Sequence, residues 1–373
     1  MSNKKLAILG VVAILMVFWA VMQSQISNKP GDEPDRPAYL IQGFDPSDVD
    51  RIVVGTGDAA FTLKRRGNGF VVVDKENYPA RTSEINSLIT KCLDIKTSEF
   101  VTANPANHED LEVTERKAHS VIKFMKADPN SPLLTGIVVG KTKELGQGSY
   151  VRLLSSNPDL SNRVYVISNA PRFGSGAMNF IEQQLIAVKR EDIESVTVSS
   201  PDGEYVLKPK ENGQDVMLEN IPAGKKLKSA EAKSVFTALL NLSFDDVKRD
   251  FGELPFDNQY VCRLKDSTEY TIKIATEDGK VYIACSAEFT EQRPATIRKD
   301  ESEEELKAKE AKLLADDKAK EFTERHKKWM YEIPGYKAGH LTKELSDLTE
   351  DLPEPEVKER ALDPNMMVPE NTP

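Results

Sequence analysis

From Val49 onward the chain alternates short β-branched and aromatic runs with clusters of Gly, Asn, Asp and Pro. Ile52-Val53-Val54, Phe61-Thr62-Leu63 and Phe70-Val71-Val72-Val73 are separated by Gly55-Thr56-Gly57-Asp58 and Gly67-Asn68-Gly69. That order predicts three antiparallel strands joined by tight turns. It returns as Val196-Thr197-Val198, Tyr205-Val206-Leu207 and Val216-Met217-Leu218, around Pro201-Asp202-Gly203 and Asn212-Gly213. After each meander the period changes. Apolar residues at Ile85, Leu88, Ile89, Cys92 and Leu93, and at Ala232, Val235, Phe236, Leu239 and Leu240, fall at i, i+3, i+4, i+7 and i+8. This spacing lays one apolar stripe down a helix, to be buried against the adjoining sheet. Thr82 and Ser229 each stand two residues before an acid, Glu84 or Glu231. A hydroxyl there can cap free N–H groups, and the acid suits the positive end of the helix.

Repeats keep their periodicity longer than their letters, so looser echoes downstream extend the comparison. Val121-Ile122-Lys123-Phe124-Met125 matches Tyr260-Val261-Cys262-Arg263-Leu264, and Tyr150-Val151-Arg152-Leu153 matches Val281-Tyr282-Ile283-Ala284. Each copy closes on a tyrosine-centred strand, Val164-Tyr165-Val166-Ile167 or Met330-Tyr331-Glu332-Ile333. The expected fold is α+β, with two tandem repeated modules of antiparallel meander plus helix at 40–185 and 186–351. Each is of ordinary domain size and long enough to bury its own core.

The main departure between the copies is the almost wholly charged stretch 296–328, which predicts a long helix inserted in the second module. Ser302-x-x-Glu305 fits a capping box. Acid-before-base pairs recur as Glu303/Lys307, Glu305/Lys309, Asp316/Lys320, Glu321/Arg325 and Glu324/Lys328. Its few apolar residues, Leu306, Leu313, Leu314 and Phe322, make a narrow stripe. That stripe could lie on the module or on a partner helix; a solvated insertion hairpin or arm is the expected reading, with a docking element for another protein as the alternative.

Residues 6–22 carry no charge, follow Lys4 and Lys5, and precede a polar stretch. A helix of this length spans about 26 Å, within the range for crossing a bilayer. A cleaved signal peptide is the rival, but Ala20-Val21-Met22 lacks the small-x-small cleavage pattern. Lys4 and Lys5 place the N-terminus inside. Residues 1–23 are therefore expected to anchor the chain in a bacterial inner membrane as a single-pass protein, with the bulk outside the cytoplasm. Residues 24–39, with Pro30, Pro34 and Pro37, are expected to form a tether, and 352–373 a disordered acidic tail.

The net charge of −10 becomes −12 once Lys4 and Lys5 are set aside, a surface that repels nucleic acid and anionic headgroups. Neither is an expected ligand. The three cysteines, Cys92, Cys262 and Cys285, form no CxxC. Cys92 aligns with Leu239 as a core residue, whereas Cys262 and Cys285 fall on strands expected to be neighbours, so a disulfide between them stays open. Gly136 to Thr142 superficially resembles a phosphate loop but has three residues, not four, before Gly140-Lys141. His108-Glu109-Asp110 is a compact polar trio without a second ligand pair. No Gly-x-Ser-x-Gly elbow and no HExxH occurs. No catalytic, metal or cofactor-binding residue is nominated, and no cofactor is expected.

The Asp-Val/Ile-x-x-Ile/Val opening, Pro79-Ala80 and Pro222-Ala223 after the meanders, the Leu-rich helix, and Gly140-Lys141 followed by Ser149-Tyr150-Val151-Arg152-Leu153 together resemble the bacterial family called domain of unknown function 4340. The resemblance covers most of 40–351. Asp110-Leu111-Glu112-Val113, where that family has Tyr-Gly-Leu, and the long charged helix depart from it. Members are often encoded beside ABC transporter components of the gliding-motility auxiliary type. The resemblance therefore implies protein partners, with an ABC permease or auxiliary subunit as the class. The expected function is a membrane-anchored extracytoplasmic binding or scaffolding protein. An envelope hydrolase and a transporter-linked ligand sensor are the alternatives.

Overall fold

The computed structural model describes residues 38–128, 130, 132–144, 146–174, 176–211, 213–249, 252, 254–291 and 303–352. The segments on which the anchor and tail expectations rest, 1–23 and 353–373, lie outside these residues, as do 24–37 of the tether. Among the described residues no helix is long and apolar enough to cross a membrane. The chain divides into two units, one ending at Glu182 and the other beginning at Gln183. Both mix helices with antiparallel sheets.

In the first unit the meander is β1 (Val49–Val54), β2 (Phe61–Arg66) and β3 (Gly69–Val72), with β4 (Tyr78–Pro79) added beside β3. Helix α1 (Thr82–Leu93) buries Ile85, Leu88, Ile89 and Cys92 and packs on β3. There follow β5 (Glu99–Thr102), β6 (Ser120–Lys126), β7 (Leu133–Thr142), β8 (Ser149–Leu154), the single-turn α2 (Pro158–Ser161) and β9 (Val164–Ile167). The sheet order is β4-β3-β2-β1-β6-β7-β8-β9-β5.

The second unit opens with β10 (Gln184–Ile186) and runs through β11 (Ile193–Ser200), β12 (Gly203–Pro209), β13 (Val216–Leu218) and β14 (Lys225–Leu227) to α3 (Ser229–Phe236). Then come β15 (Leu242–Ser243), β16 (Asp246–Lys248), β17 (Asn258–Leu264), β18 (Thr268–Glu277) and β19 (Lys280–Phe289). The charged helix α4 (Glu303–His326) precedes β20 (Met330–Ile333), α5 (Gly335–Leu341), α6 (Leu345–Leu348) and β21 (Thr349–Asp351). The main sheet reads β13-β12-β11-β17-β18-β19-β20-β16. Strand for strand this is the order of the first sheet without β4. The β10–β15 ladder likewise has its counterpart in the Tyr39–Lys96 bridge of the first unit.

Equal strand order makes positions comparable through the ladders. Ile52 pairs with Phe124, and Val196 with Cys262, so Phe124 and Cys262 occupy matching places; both are fully buried. Tyr260, two residues before Cys262, donates its hydroxyl to Val235 O of α3 at 2.8 Å. That bond ties helix to sheet on the face the apolar stripe covers. The stripe is interrupted in the second unit, where α3 stops at Phe236 and a 3-10 turn carries Leu239 inward. Ala38 and Tyr39, at the end of the expected tether, already belong to the fold: Thr97 N donates to Ala38 O at 2.9 Å.

Three expectations are corrected. The charged helix α4 is not a solvated arm: it packs on β19, with Ala315 and Ala319 buried. Arg81 and Lys228, both extended, precede α1 and α3, and neither helix has a side-chain cap. Thr82 and Ser229 are already the first helical residues, past the position from which a hydroxyl caps. Cys262 and Cys285 do not lie on neighbouring strands, because β18 runs between them, with Cys262 opposite Tyr270 and Cys285 opposite Ile272. Two strand spacings amount to about 9–10 Å, beyond the roughly 4.4–6.8 Å that a disulfide spans between Cα atoms. All three cysteines are free and buried.

Candidate functional site

The residues that suggested chemistry turn out to hold the fold. Burial pushes the thiols of Cys92, Cys262 and Cys285 upward, that of Cys262 to about 12, so they behave as small core residues. His108 is buried, its Nε2 3.0 Å from Asn162 O, and Glu109 turns away to Lys117 at 2.6 Å. The trio is therefore split between a structural tie and a surface ion pair. Gly140 lies under the loop that carries this trio: a Cβ there would collide with Leu111 O, and Lys141 N donates to Leu111 O at 3.3 Å. The glycine serves close backbone approach within a strand. Arg152 ties down the same loop, donating from Nε to Val113 O at 2.9 Å and from Nη1 to Ser161 O at 3.2 Å. Among the described residues no three His, Cys, Asp or Glu side chains gather as a metal site.

Both units carry a concavity. A small one of about 170 Å³ lies in the first unit, between the 41–48 segment and Leu134, Leu153 and Leu160. An open polar cleft of about 470 Å³ in the second unit is lined by Lys228, Glu231, Gly339, Thr342, Lys343 and Asp347. The hydrogen bond from Lys343 holds the Glu231 carboxyl below the usual range, helped by its positive charge. Asp347 accepts the Glu344 N–H at 3.0 Å, and Tyr205 donates to Lys343 O at 2.7 Å. The cleft is thus internally paired.

The edges of the sheets are the remaining chemistry, because an edge strand presents unpaired N–H and C=O groups to any extended chain. In the first sheet β5 is last, and among the described residues it pairs only with β9. Ser98, just before it, is tied to Val166 O through N at 2.8 Å and Oγ at 2.9 Å. Thr102 Oγ1 accepts from Asn104 N at 3.0 Å and Asn107 Nδ2 at 3.1 Å, ending the strand. Between these ties Phe100 is 51% exposed. Its ring stands edge-on to Tyr165 of β9, with centroids 5.8 Å apart and 67° between planes. Lys143 pairs with Glu99 beside it at 2.6 Å. The result is an aromatic pair at an open edge with a charged border.

The matching edge of the second sheet, β16, is built differently. Asp246 turns its carboxylate onto Val247 N at 2.7 Å. Lys248 donates to Tyr282 OH at 3.2 Å, and Arg249 lies 4.9 Å over the Trp329 ring. Charged side chains at an edge discourage strand addition. Sequence reasoning did not assign β5 or β16, because a four-residue or three-residue strand gives little periodicity to read.

No curated protein and no solved structure matches this chain. The profile of the family described as Domain of unknown function (DUF4340) matches residues 71–259, from within β3 to the second residue of β17. That is just over half of the 373 residues, and the chain belongs to this family.

Proposed function

We propose that the protein is a membrane-anchored, extracytoplasmic binding or scaffolding protein that takes an extended segment of a partner along the β5 edge. The reading is carried by the exposed Phe100 beside Tyr165 on a strand with a single neighbour among the described residues. An exposed aromatic among edge hydrogen-bonding groups supplies both anchor and affinity for β-augmentation. The charge-free residues 6–22 after Lys4 and Lys5 support the anchor. The family resemblance supports an ABC-type permease or auxiliary subunit as the partner class. The test is photocrosslinking from position 100 and from Val101 in intact membranes, with and without a Lys at the neighbouring edge position. One defined permease or auxiliary adduct, lost in Phe100→Lys when the crosslinker sits at 101, is the expected result. Adducts that are indifferent to that lysine would overturn the reading.

The cleft around Lys228, Glu231 and Lys343 favours a second reading, a sensor of small polar solutes. A Tm rise with simple amino acids in the natural chain, absent in Lys343→Met, would support it over the first.

A further inference from the structure

The second unit contains an edge that would lie open if α4 were elsewhere. β20 pairs with β19 only at Val281, Tyr282 and Ile283. Residues 284–289 of β19 are paired with β18 on one side and have no strand on the other among the described residues. Helix α4 fills that side. Thr323 Oγ1 accepts from Ala287 N at 2.8 Å and donates to Ala287 O at 2.6 Å. One hydroxyl thereby makes both bonds that a facing strand residue would make.

The rest of the helix is shaped for this seat. Ala315 and Ala319 are buried and allow close approach. Phe322 stands at 88° to the Tyr270 ring, with centroids 5.2 Å apart. His326 Nδ1 lies 2.5 Å from Tyr331 OH of β20, and Lys312 pairs with Glu291 just beyond β19. In contrast, Leu313 and Leu314 are about half exposed and take no part.

We propose that α4 is an edge cover that keeps β19 from pairing with β19 of a second copy of this chain. The edge is self-complementary. By the two-residue alternation, Cys285 and Phe289 direct their N–H and C=O groups the same way as Ala287. An antiparallel dyad at Ala287 sets Cys285 opposite Phe289, and Ser286 opposite Glu288. Apolar meets apolar on the buried face, and no glutamate faces its copy on the other. A two-fold interface requires this kind of self-matching patch.

The experiment compares three full-length variants with the natural chain. In Thr323→Val the Ala287 amide loses its acceptor and exchanges about tenfold faster or more, while Thr323→Ser, which keeps the hydroxyl, restores protection. In Ala319→Asp, which drives a charge into the helix seat, a cysteine placed at 287 forms a crosslinked dimer that the same cysteine in the natural background does not. Unchanged exchange at Ala287 in Thr323→Val would overturn the assigned hydrogen bonds. A monomeric Ala319→Asp chain whose Ala287 amide has become exchangeable would overturn the self-pairing. Neither outcome bears on the β5 edge.

Discussion

The two sheets share a strand order but finish their far ends differently. In the first, β9 covers β8 from Ser149 to Arg152, four of its six residues, and then β5 closes the sheet as an open edge with an exposed aromatic. In the second, β18 and β19 each run to ten residues, so β20 covers only part of β19 and a helix must complete it. The difference teaches that the same topology can offer an edge or withhold one. What changes is the length of one hairpin and the chain inserted after it.

The most severe way to break the comparison is to attack what both units share, the helix packed on the meander. Phe236→Ala removes a fully buried ring from α3 and should cost about 3–5 kcal/mol, seen as a lower denaturant midpoint. Cys92→Ala at the matching stripe of α1 should cost less, since less volume is lost.

Acid sharpens the contrast at the far ends. Burial, reinforced by nearby Arg325, lowers His326 to about 4 from an ordinary 6.5, with Tyr331 OH as its ring partner. The unfolded chain therefore binds a proton before the folded one does. The stability from neutral His326 is complete above pH 6.5 and is lost as pH falls toward 4, by roughly 2–3 kcal/mol. Protection of the β19 amides, taken against the intrinsic exchange rate at each pH, should fall over this window, and His326→Phe should flatten the response. The β8–β9 ladder, which has no such helix, should change less.

Gly140 provides a smaller, reciprocal test. Through the ladders its matching position is Ala275, buried in β18. Gly140→Ala should cost about 1–3 kcal/mol by pressing on Leu111 O, whereas Ala275→Gly should cost about 0.5–1 kcal/mol from backbone freedom alone. Urea unfolding of the two variants measures both. Smallest of all, Phe100→Lys should alter stability by less than about 0.5 kcal/mol while abolishing the partner adduct, which separates a contact residue from a structural one.

Much of the architecture was legible along the chain. The three-strand meanders and the stripes of α1 and α3 follow from periodicities of two and of 3.6 residues, which report the buried face wherever an element is long enough. The strand pairs β6 and β17, β8 and β19, and β9 and β20 were legible for the same reason, but in the first two the residue match was one position out, since the ladders set Phe124 against Cys262 and Val151 against Ile283. The hydroxyl caps were not, because a shift of one residue in helix start moves Thr82 and Ser229 from cap to first turn. Nor was the separation of Cys262 from Cys285, since a periodic pattern says which way a side chain points but not which strand lies beside it.

What the sequence by itself determined, then, is local: the alternation, the helical phase, the repeat, the charge and the family. The tertiary structure alone decided that β5 and β16 return to the far edge beside β9 and β20, that Gly140 sits beneath a crossing loop, and that Thr323 bonds Ala287 across 36 residues. The physical reason is that backbone hydrogen-bonding groups are the same in every residue. Which of them find partners, and which are left for another chain, depends on how distant segments close on one another.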